Sequence, residues 1–161
     1  MLAAAIFAFA ASIFPRAPVP SLPEGYNWNV VNWQAGESHG APTAPMTGWY
    51  SFNVSGPEYG RGKTHIPSFA AHCQGSADGV PLSSNFSSCT LDRSVGTPGT
   101  SVLARVIPDP EIRAHIAITY LFRTDDEARM RRNFTVIIVE DWARERPPHN
   151  FTVQPAEATV L

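Results

Sequence analysis

Apolar and polar residues alternate along several short segments of this chain. The alternation is clearest at residues 26–30 (YNWNV) and 49–54 (WYSFNV), where Tyr50, Phe52 and Val54 fall on one face. A period of two is typical of a β-strand that buries one face and exposes the other. Both segments therefore predict strands that contribute one side to a core.

The rest of the chain continues this pattern. Further strands are predicted at residues 66–73, 102–107, 114–122 and 134–139, with a last strand through Phe151 and Val153. Gly- and Pro-rich stretches at 36–48 and 56–63 predict loops, and the charged stretch 125–132 is too short for a stable helix. Seven or eight short strands with such punctuation predict an all-β fold, an antiparallel β-sandwich or β-barrel.

The N-terminal segment is apolar. Residues 1–14 contain one polar side chain, Ser12, and no charged one. A membrane span needs about 20 apolar residues, whereas this length suits the core of a signal peptide, although no Lys or Arg precedes it. We predict a signal peptide at residues 1–20, cleaved between 11 and 21, and a single secreted domain at 21–161. A buried N-terminal helix is the alternative, which the prolines from Pro15 onward disfavour.

The asparagines support secretion. Four of the seven lie in the glycan-acceptor pattern Asn-x-Ser/Thr, where chance would place about one. They are Asn53, Asn85, Asn133 and Asn150. Because residues i and i+2 of a strand share a face, Asn53, Asn133 and Asn150 are expected to face solvent while Phe52, Phe134 and Phe151 face the core. Asn85 is expected in an exposed loop.

Cys73 and Cys89 are the only two cysteines. In an oxidising compartment an even pair most simply forms one intramolecular disulfide, and closing a loop of this length contributes roughly 3 kcal/mol. Free thiols, a metal site and an inter-chain bridge are the alternatives. Asn85 lies inside the loop that this bond would close.

Charge and histidine spacing indicate neither nucleic-acid binding nor a metal site. The formal net charge is −2, without the basic footprint of a nucleic-acid-binding domain, and no apolar run after the leader predicts membrane insertion. The five histidines show none of the short metal-binding spacings, so no cofactor is predicted. His115 is expected to be half-exposed or hydrogen-bonded on a strand.

No local pattern predicts catalysis. A Gly-x-Ser-x-Gly turn is absent, and the carboxylate pairs at 125–126 and 140–141 are expected to be solvated. The basic cluster 129–132 is expected in a solvated loop balanced by the acids at 125–127. Four tryptophans, Trp28, Trp33, Trp49 and Trp142, offer a ligand-stacking platform, although core packing is the commoner use of tryptophan. We therefore predict no catalytic residue and no enzyme.

The order of residues resembles a group of small secreted fungal proteins. The resemblance rests on residues 28–36 (WNVVNWQAG), 50–56 (YSFNVSG) and 66–75 (IPSFAAHCQG), followed by Asn133-Phe-Thr and a closing 151–155 (FTVQP). More distantly, it is similar to the Alternaria major-allergen family. The resemblance implies a secreted fungal β-barrel associated with host interaction and defence elicitation. The chain lacks a further Cys pair of such proteins, which leaves the 36–48 loop untethered and a family-type dimer disulfide unsupported.

The leading hypothesis is therefore a secreted, extracellular, effector-like protein that binds a host or cell-wall protein or glycan. The rival hypothesis is a small secreted hydrolase or carbohydrate-active enzyme, which needs histidine and carboxylate side chains converging in one cleft. A third is a small-ligand carrier that uses a pocket at the barrel mouth and the tryptophans.

Overall fold

The computed structural model describes residues 22, 24–109, 113–124, 129–142 and 148–158, without the side chain of His39. The predicted signal peptide and the acids at 125–127 lie outside these residues. The elements are β1 (Trp28–His39), β2 (Met46–Gly56), a 3-10 helix (Gly62–Thr64), β3 (Phe69–Asp78), β4 (Ser87–Ser88), β5 (Thr90–Leu91), β6 (Ser101–Val106), β7 (Ala114–Arg123), β8 (Arg131–Glu140), β9 (His149–Val153) and β10 (Ala156–Glu157).

Two antiparallel sheets of five strands form the fold. The first sheet has the order β5-β3-β2-β1-β9, and the second has the order β10-β8-β7-β6-β4. Within the described residues no strand pairing joins the two sheets, so the fold is a β-sandwich and not a closed barrel. The predicted all-β, antiparallel fold is confirmed.

Aromatic side chains from both sheets fill the space between them. Tyr50, Phe52 and Val54 of β2 are at most 2% exposed, as their alternation predicts. The ring of Phe69 on the first sheet stacks on Tyr120 of the second at 4.1 Å between centroids. Contacts of this kind stabilise the fold chiefly by removing large apolar surfaces from water.

Most of the predicted 36–48 loop is strand. Residues 36–39 pair with Met46–Trp49, so only residues 40–45 form the turn. The prediction was wrong because it read glycine as a loop residue. At Gly36, the missing side chain lets the Trp49 indole lie against the backbone, since a Cβ there would be 2.8 Å from Trp49 Nε1. The segment is tethered by strand pairing rather than by a disulfide.

A bulge explains why the alternation in β1 stops early. The register shifts between Val31 and Gln34, and Asn32 has a positive φ of 56°. After this extra residue, Trp33 and Ala35 face the core again.

Cys73 and Cys89 form the predicted disulfide. Cys89 lies between β4 of the second sheet and β5 of the first, where the chain crosses the sandwich. The bond therefore fixes this crossing to β3. The three two-residue strands β4, β5 and β10 raise the strand number above the predicted seven or eight, because two residues are too few to show a period.

The third strand also begins later than predicted. Ile66 pairs with Tyr59 in an isolated bridge, and β3 starts at Phe69. Pro67, which has no N–H to donate, lies between them. None of the described segments is a helix long and apolar enough to span a bilayer.

Candidate functional site

A cleft opens at one end of the sandwich, between strand ends and connecting loops of both sheets. It encloses about 340 Å³ and is formed by four segments: the start of β2, the loop 79–82, the β6–β7 connection and the end of β8. Its apolar walls are Met46, Val80, Pro81, Leu82, Pro108 and Trp142, and its polar residues are Asp109 and Arg113. We call it the end cleft. A largely apolar cavity with few polar groups is the usual form of a small-molecule site.

Gly48 lies against two residues that line the end cleft, Leu82 and Trp142. A Cβ at this position would lie 3.0 Å from Leu82 Cδ1 and 3.2 Å from Trp142 Cη2. Because glycine has no side chain, the leucine and the indole can lie against the backbone of β2. Leu82 is 6% exposed and belongs to the core, so this part of the end cleft is continuous with the sandwich interior.

Backbone bonds hold the 79–82 loop in place. Asp78 and Ser83 exchange N–H to C=O hydrogen bonds of 3.0 and 3.3 Å across the base of the loop. Next along the chain, the Ser84 N–H donates to the Val106 carbonyl at 3.1 Å, and Ser84 Oγ accepts from the Val106 N–H at 2.9 Å. The loop is thereby tied to both sheets, which makes this wall of the end cleft preformed.

A carboxylate and a guanidinium form the polar end. Asp109 is 5% exposed at its side chain, and its Oδ2 lies 2.9 Å from His115 Nε2. Arg113 is 42% exposed, and its Nε lies 3.4 Å from Asp141 Oδ1. An arginine carries five N–H donors, so contact through Nε leaves others for a ligand. The end cleft therefore suits a molecule with an apolar body and a hydrogen-bonding or anionic end.

The tryptophans do not form the stacking platform considered from the sequence. Trp28 and Trp33 are at most 3% exposed and pack in the core. Trp49 is 42% exposed on the outer face of the first sheet, against Gly36. Only Trp142 lies in the end cleft. The four side chains are thus divided among three environments.

Each of the four histidines whose side chains the structure describes lies beside its own partner. His72 Nδ1 donates to Asn53 Oδ1 at 3.0 Å, and His65 Nε2 donates to Glu58 Oε1 at 2.9 Å. His115 is half-exposed beside Asp109, as expected. Across the described part of the chain, no three His, Cys, Asp or Glu side chains are grouped as a metal site would need.

The carboxylate pair at 140–141 is divided between two partners. Glu140 Oε2 lies 3.8 Å from His149 Nε2, whereas Asp141 contacts Arg113. The pair at 125–126 lies outside the described residues. The basic cluster 129–132 was expected in a solvated loop, but Arg131 and Arg132 belong to β8 and Arg132 pairs with Glu157.

The four glycan-acceptor asparagines have different environments. Asn53, Asn85 and Asn150 are exposed, and Asn85 lies in the loop before β4, as predicted. The side-chain oxygen Oδ1 of Asn150 accepts a hydrogen bond from the backbone N–H of Asn32 at 2.9 Å. Oδ1 of Asn53 likewise accepts a hydrogen bond from His72 Nδ1. Glycans attach to Nδ2, so these bonds hold the carboxamide without occupying the acceptor nitrogen.

Asn133 is less exposed than predicted. It is only half-exposed, and its Oδ1 is buried without a hydrogen-bond partner among the described residues. The alternation itself is correct, since Phe134 is fully buried beside it. Asn133 has a backbone neighbour on both sides, Leu121 of β7 and Ala158 just after β10, which reduces its exposure.

Sequence reasoning missed most of the end cleft. Trp142 was singled out, but Met46, Leu82, Asp109 and Arg113 were not. These residues come from separate segments without a shared motif, so no local pattern could have grouped them. Only the tertiary fold brings these residues together in one cleft.

No protein-family model, curated protein or solved structure matches this chain. The function is therefore argued from the residues of the end cleft.

Proposed function

We propose that this is a secreted, non-enzymatic binding protein that holds a small, mainly apolar molecule in the end cleft. The observation that carries the proposal is the cleft itself, in which Trp142 and Leu82 face a buried carboxylate and a partly exposed guanidinium. The apolar walls supply affinity by burying ligand surface. Asp109 and Arg113 select molecules that carry a matching polar end.

An anionic apolar probe tests the cleft directly. Anilinonaphthalene sulfonate should bind the folded protein saturably, with its rings against Trp142 and its sulfonate near Arg113. Gly48→Val should weaken binding at least about tenfold, because the added side chain would displace Leu82 and Trp142 from their places in the cleft wall. Arg113→Met should weaken this probe more than an uncharged naphthylamine, since only the sulfonate loses a charged partner.

Matched tryptophan variants locate the probe. In Trp49→Phe, Trp142 is the remaining partly exposed tryptophan, so quenching by the probe should persist. In Trp142→Phe the probe should bind more weakly, because part of the apolar wall is lost, while Trp49→Phe leaves its affinity unchanged. An affinity equally insensitive to both substitutions, or the absence of saturable binding, would overturn the proposal.

The biological setting proposed for this activity is an extracellular, effector-like role toward a host or its cell wall. The disulfide and the three exposed glycan-acceptor asparagines support an oxidising, secretory route. Purified glycosylated protein should retain a specific protein, glycan or small molecule from plant apoplastic extract. If Gly48→Val recovers the same material, the partner binds outside the end cleft. If the protein recovers nothing at micromolar concentration, the result contradicts the effector-like role.

A hydrolase is the second candidate, because Asp109 and His115 meet beside the end cleft. A carboxylate against an imidazole is how many hydrolases orient a catalytic base. Among the described residues, however, no Ser, Thr or Cys side chain hydrogen-bonds to His115. Turnover of ester or glycoside substrates that is lost in His115→Ala would favour this candidate over a binding protein.

A further inference from the structure

The outer edge of β8 is only partly covered by a neighbouring strand. β10 pairs with β8 at Thr135 and Phe134, and the Ala158 N–H then donates to the Asn133 carbonyl at 2.8 Å. From β10 onward the chain therefore runs alongside β8 toward the beginning of that strand. Residues 136–140 have β7 on one side and no described strand on the other. We call this stretch the free edge.

Backbone groups of the free edge point away from the sheet. Directions alternate along a strand, so Ile137 and Val139 point their N–H and C=O groups the same way as Asn133, whose carbonyl faces β10. No hydrogen bond within the described residues reaches these groups of Ile137 and Val139 on that side. Such unpaired groups are a template for another strand.

The side chains of the free edge do not protect it. Residues 136–139 (VIIV) are uncharged and β-branched, with Ile137 55% and Val139 38% exposed. Natural sheets usually protect an edge with charged side chains, proline or a bulge; in this stretch the only such feature is Glu140, its last residue. The four β-branched residues before Glu140 are suited to pairing with a strand of the same kind.

We propose that the free edge is a homodimer interface, in which β8 of one copy pairs antiparallel with β8 of a second copy. The pairing is self-complementary about a two-fold axis, as closed dimers require. It joins the second sheets of the two copies into one ten-stranded sheet. This inference is independent of the end cleft and of its ligand.

The position of β10 determines the register. A two-fold axis at Ile138 places Ile137 of one copy opposite Val139 of the other, which uses the whole free edge. An axis at Ile137 would instead place Val139 opposite Thr135, whose edge is already taken by Ala156. In the first register, Ile137 and Val139 exchange backbone hydrogen bonds on both sides of the axis.

A five-residue edge buries little surface. The interface lies below the roughly 1,200 Å² of stable complexes, so a weak dimer that forms with increasing concentration is expected. Sedimentation velocity over a concentration series should show a reversible monomer–dimer equilibrium. In the same series, amide hydrogen exchange at Ile137 and Val139 should slow as the dimer forms. A wild-type protein that stays monomeric at high micromolar concentration would overturn the proposal.

Two variants test the edge without disturbing the monomer. Ile137→Pro removes an outward N–H that no described partner accepts, and Ile137→Lys places a charge on the edge. Each should raise the dimer dissociation constant at least about tenfold. Val31→Lys, on the outer face of the first sheet and 36% exposed, is the matched control and should leave it unchanged. Equal weakening by the control, or none by either edge variant, would overturn the proposal. Circular dichroism verifies that each variant is folded.

Discussion

Arg132 on β8 and Glu157 on β10 form an ion pair with two hydrogen bonds, Nε to Oε1 at 2.9 Å and Nη2 to Oε2 at 3.2 Å. Their side chains are 11% and 15% exposed, and the guanidinium also lies 5.1 Å from the centre of the Phe134 ring. Because β10 pairs with β8 through only two residues, this ion pair is a main attachment of β10 to the second sheet.

Arg132→Met should lower the free energy of unfolding by about 3 kcal/mol, because Glu157 stays largely buried without its cation. Urea unfolding monitored by circular dichroism measures the change. Arg131→Met is the control, since Arg131 is exposed and lies directly opposite Arg123. Removing this like-charge contact should change the free energy by no more than about 0.5 kcal/mol. Equal losses in both variants would contradict the assigned role of Arg132.

Gly56→Ala should destabilise the core by about 1–3 kcal/mol through overpacking. A Cβ at Gly56 would lie 2.5 Å from Phe69 Cε1 and 2.9 Å from Trp28 Cδ1, and both rings are fully packed. Gly48→Ala is the milder comparison, because its nearest neighbour would be a leucine methyl at 3.0 Å. Unfolding midpoints in urea rank the two variants, and a larger loss at Gly48 would contradict the packing argument.

Loss of the Cys73–Cys89 disulfide should lower the free energy of unfolding by about 3 kcal/mol, since the bond limits the unfolded chain over a separation of 16 residues. The double variant Cys73→Ala and Cys89→Ala is compared with the wild type by urea unfolding. Dithiothreitol should shift the wild-type midpoint and leave that of the variant unchanged. A wild-type midpoint insensitive to reduction would show that the bond contributes nothing.

Stability should fall at alkaline pH. Burial raises the pKa of Tyr26, Tyr50 and Tyr120 above its ordinary value near 10. The folded protein thus retains these protons more tightly than the unfolded chain, so their contribution is complete below about pH 10 and is lost as the pH rises further. Urea unfolding between about pH 8 and 11 measures the decline.

Tyr120→Phe is the control for the alkaline decline. It keeps the ring but removes the hydroxyl that donates to the Pro67 carbonyl at 3.0 Å. Stability should be lower than that of the wild type at neutral pH, and the decline above about pH 10 should be shallower. A free energy of unfolding that stays constant to about pH 11 would refute the role of the tyrosines.

Glycan occupancy should follow exposure. In a eukaryotic secretory host, we expect glycans on Asn53, Asn85 and Asn150, and little or none on Asn133, because the buried Oδ1 restricts its carboxamide. Intact-mass measurement before and after enzymatic deglycosylation counts the glycans, and peptide mapping assigns them. Single Asn→Gln variants at the three exposed positions should each lose one glycan. Full occupancy of Asn133 would contradict this expectation.

Strand positions followed from sequence wherever alternation was regular. In 49–54 every second residue is large and apolar, so burial of that face predicted both the strand and its orientation. The same reasoning failed after Val31, because the bulge at Asn32 shifts the period by one residue. It failed again at Gly36, where the glycine supports a neighbouring indole rather than a turn.

The partners of individual side chains could not be predicted in this way. Arg132 reads as part of an exposed basic cluster, yet it faces inward and binds a carboxylate that is 25 residues away. Asp109 and Arg113 lie in an unremarkable Pro-rich connection. Their importance depends on Leu82 and Trp142, which reach the same cleft from distant positions.

The class of fold, the disulfide and the faces of the regular strands could be predicted from the sequence, because period-two burial and the count of cysteines are local or compositional properties. The three-dimensional structure was needed to show that the sheets form a sandwich, where the end cleft opens and that β10 leaves the free edge of β8 uncovered. Each of these depends on which distant segments lie side by side, and hence on long-range packing rather than on any local pattern.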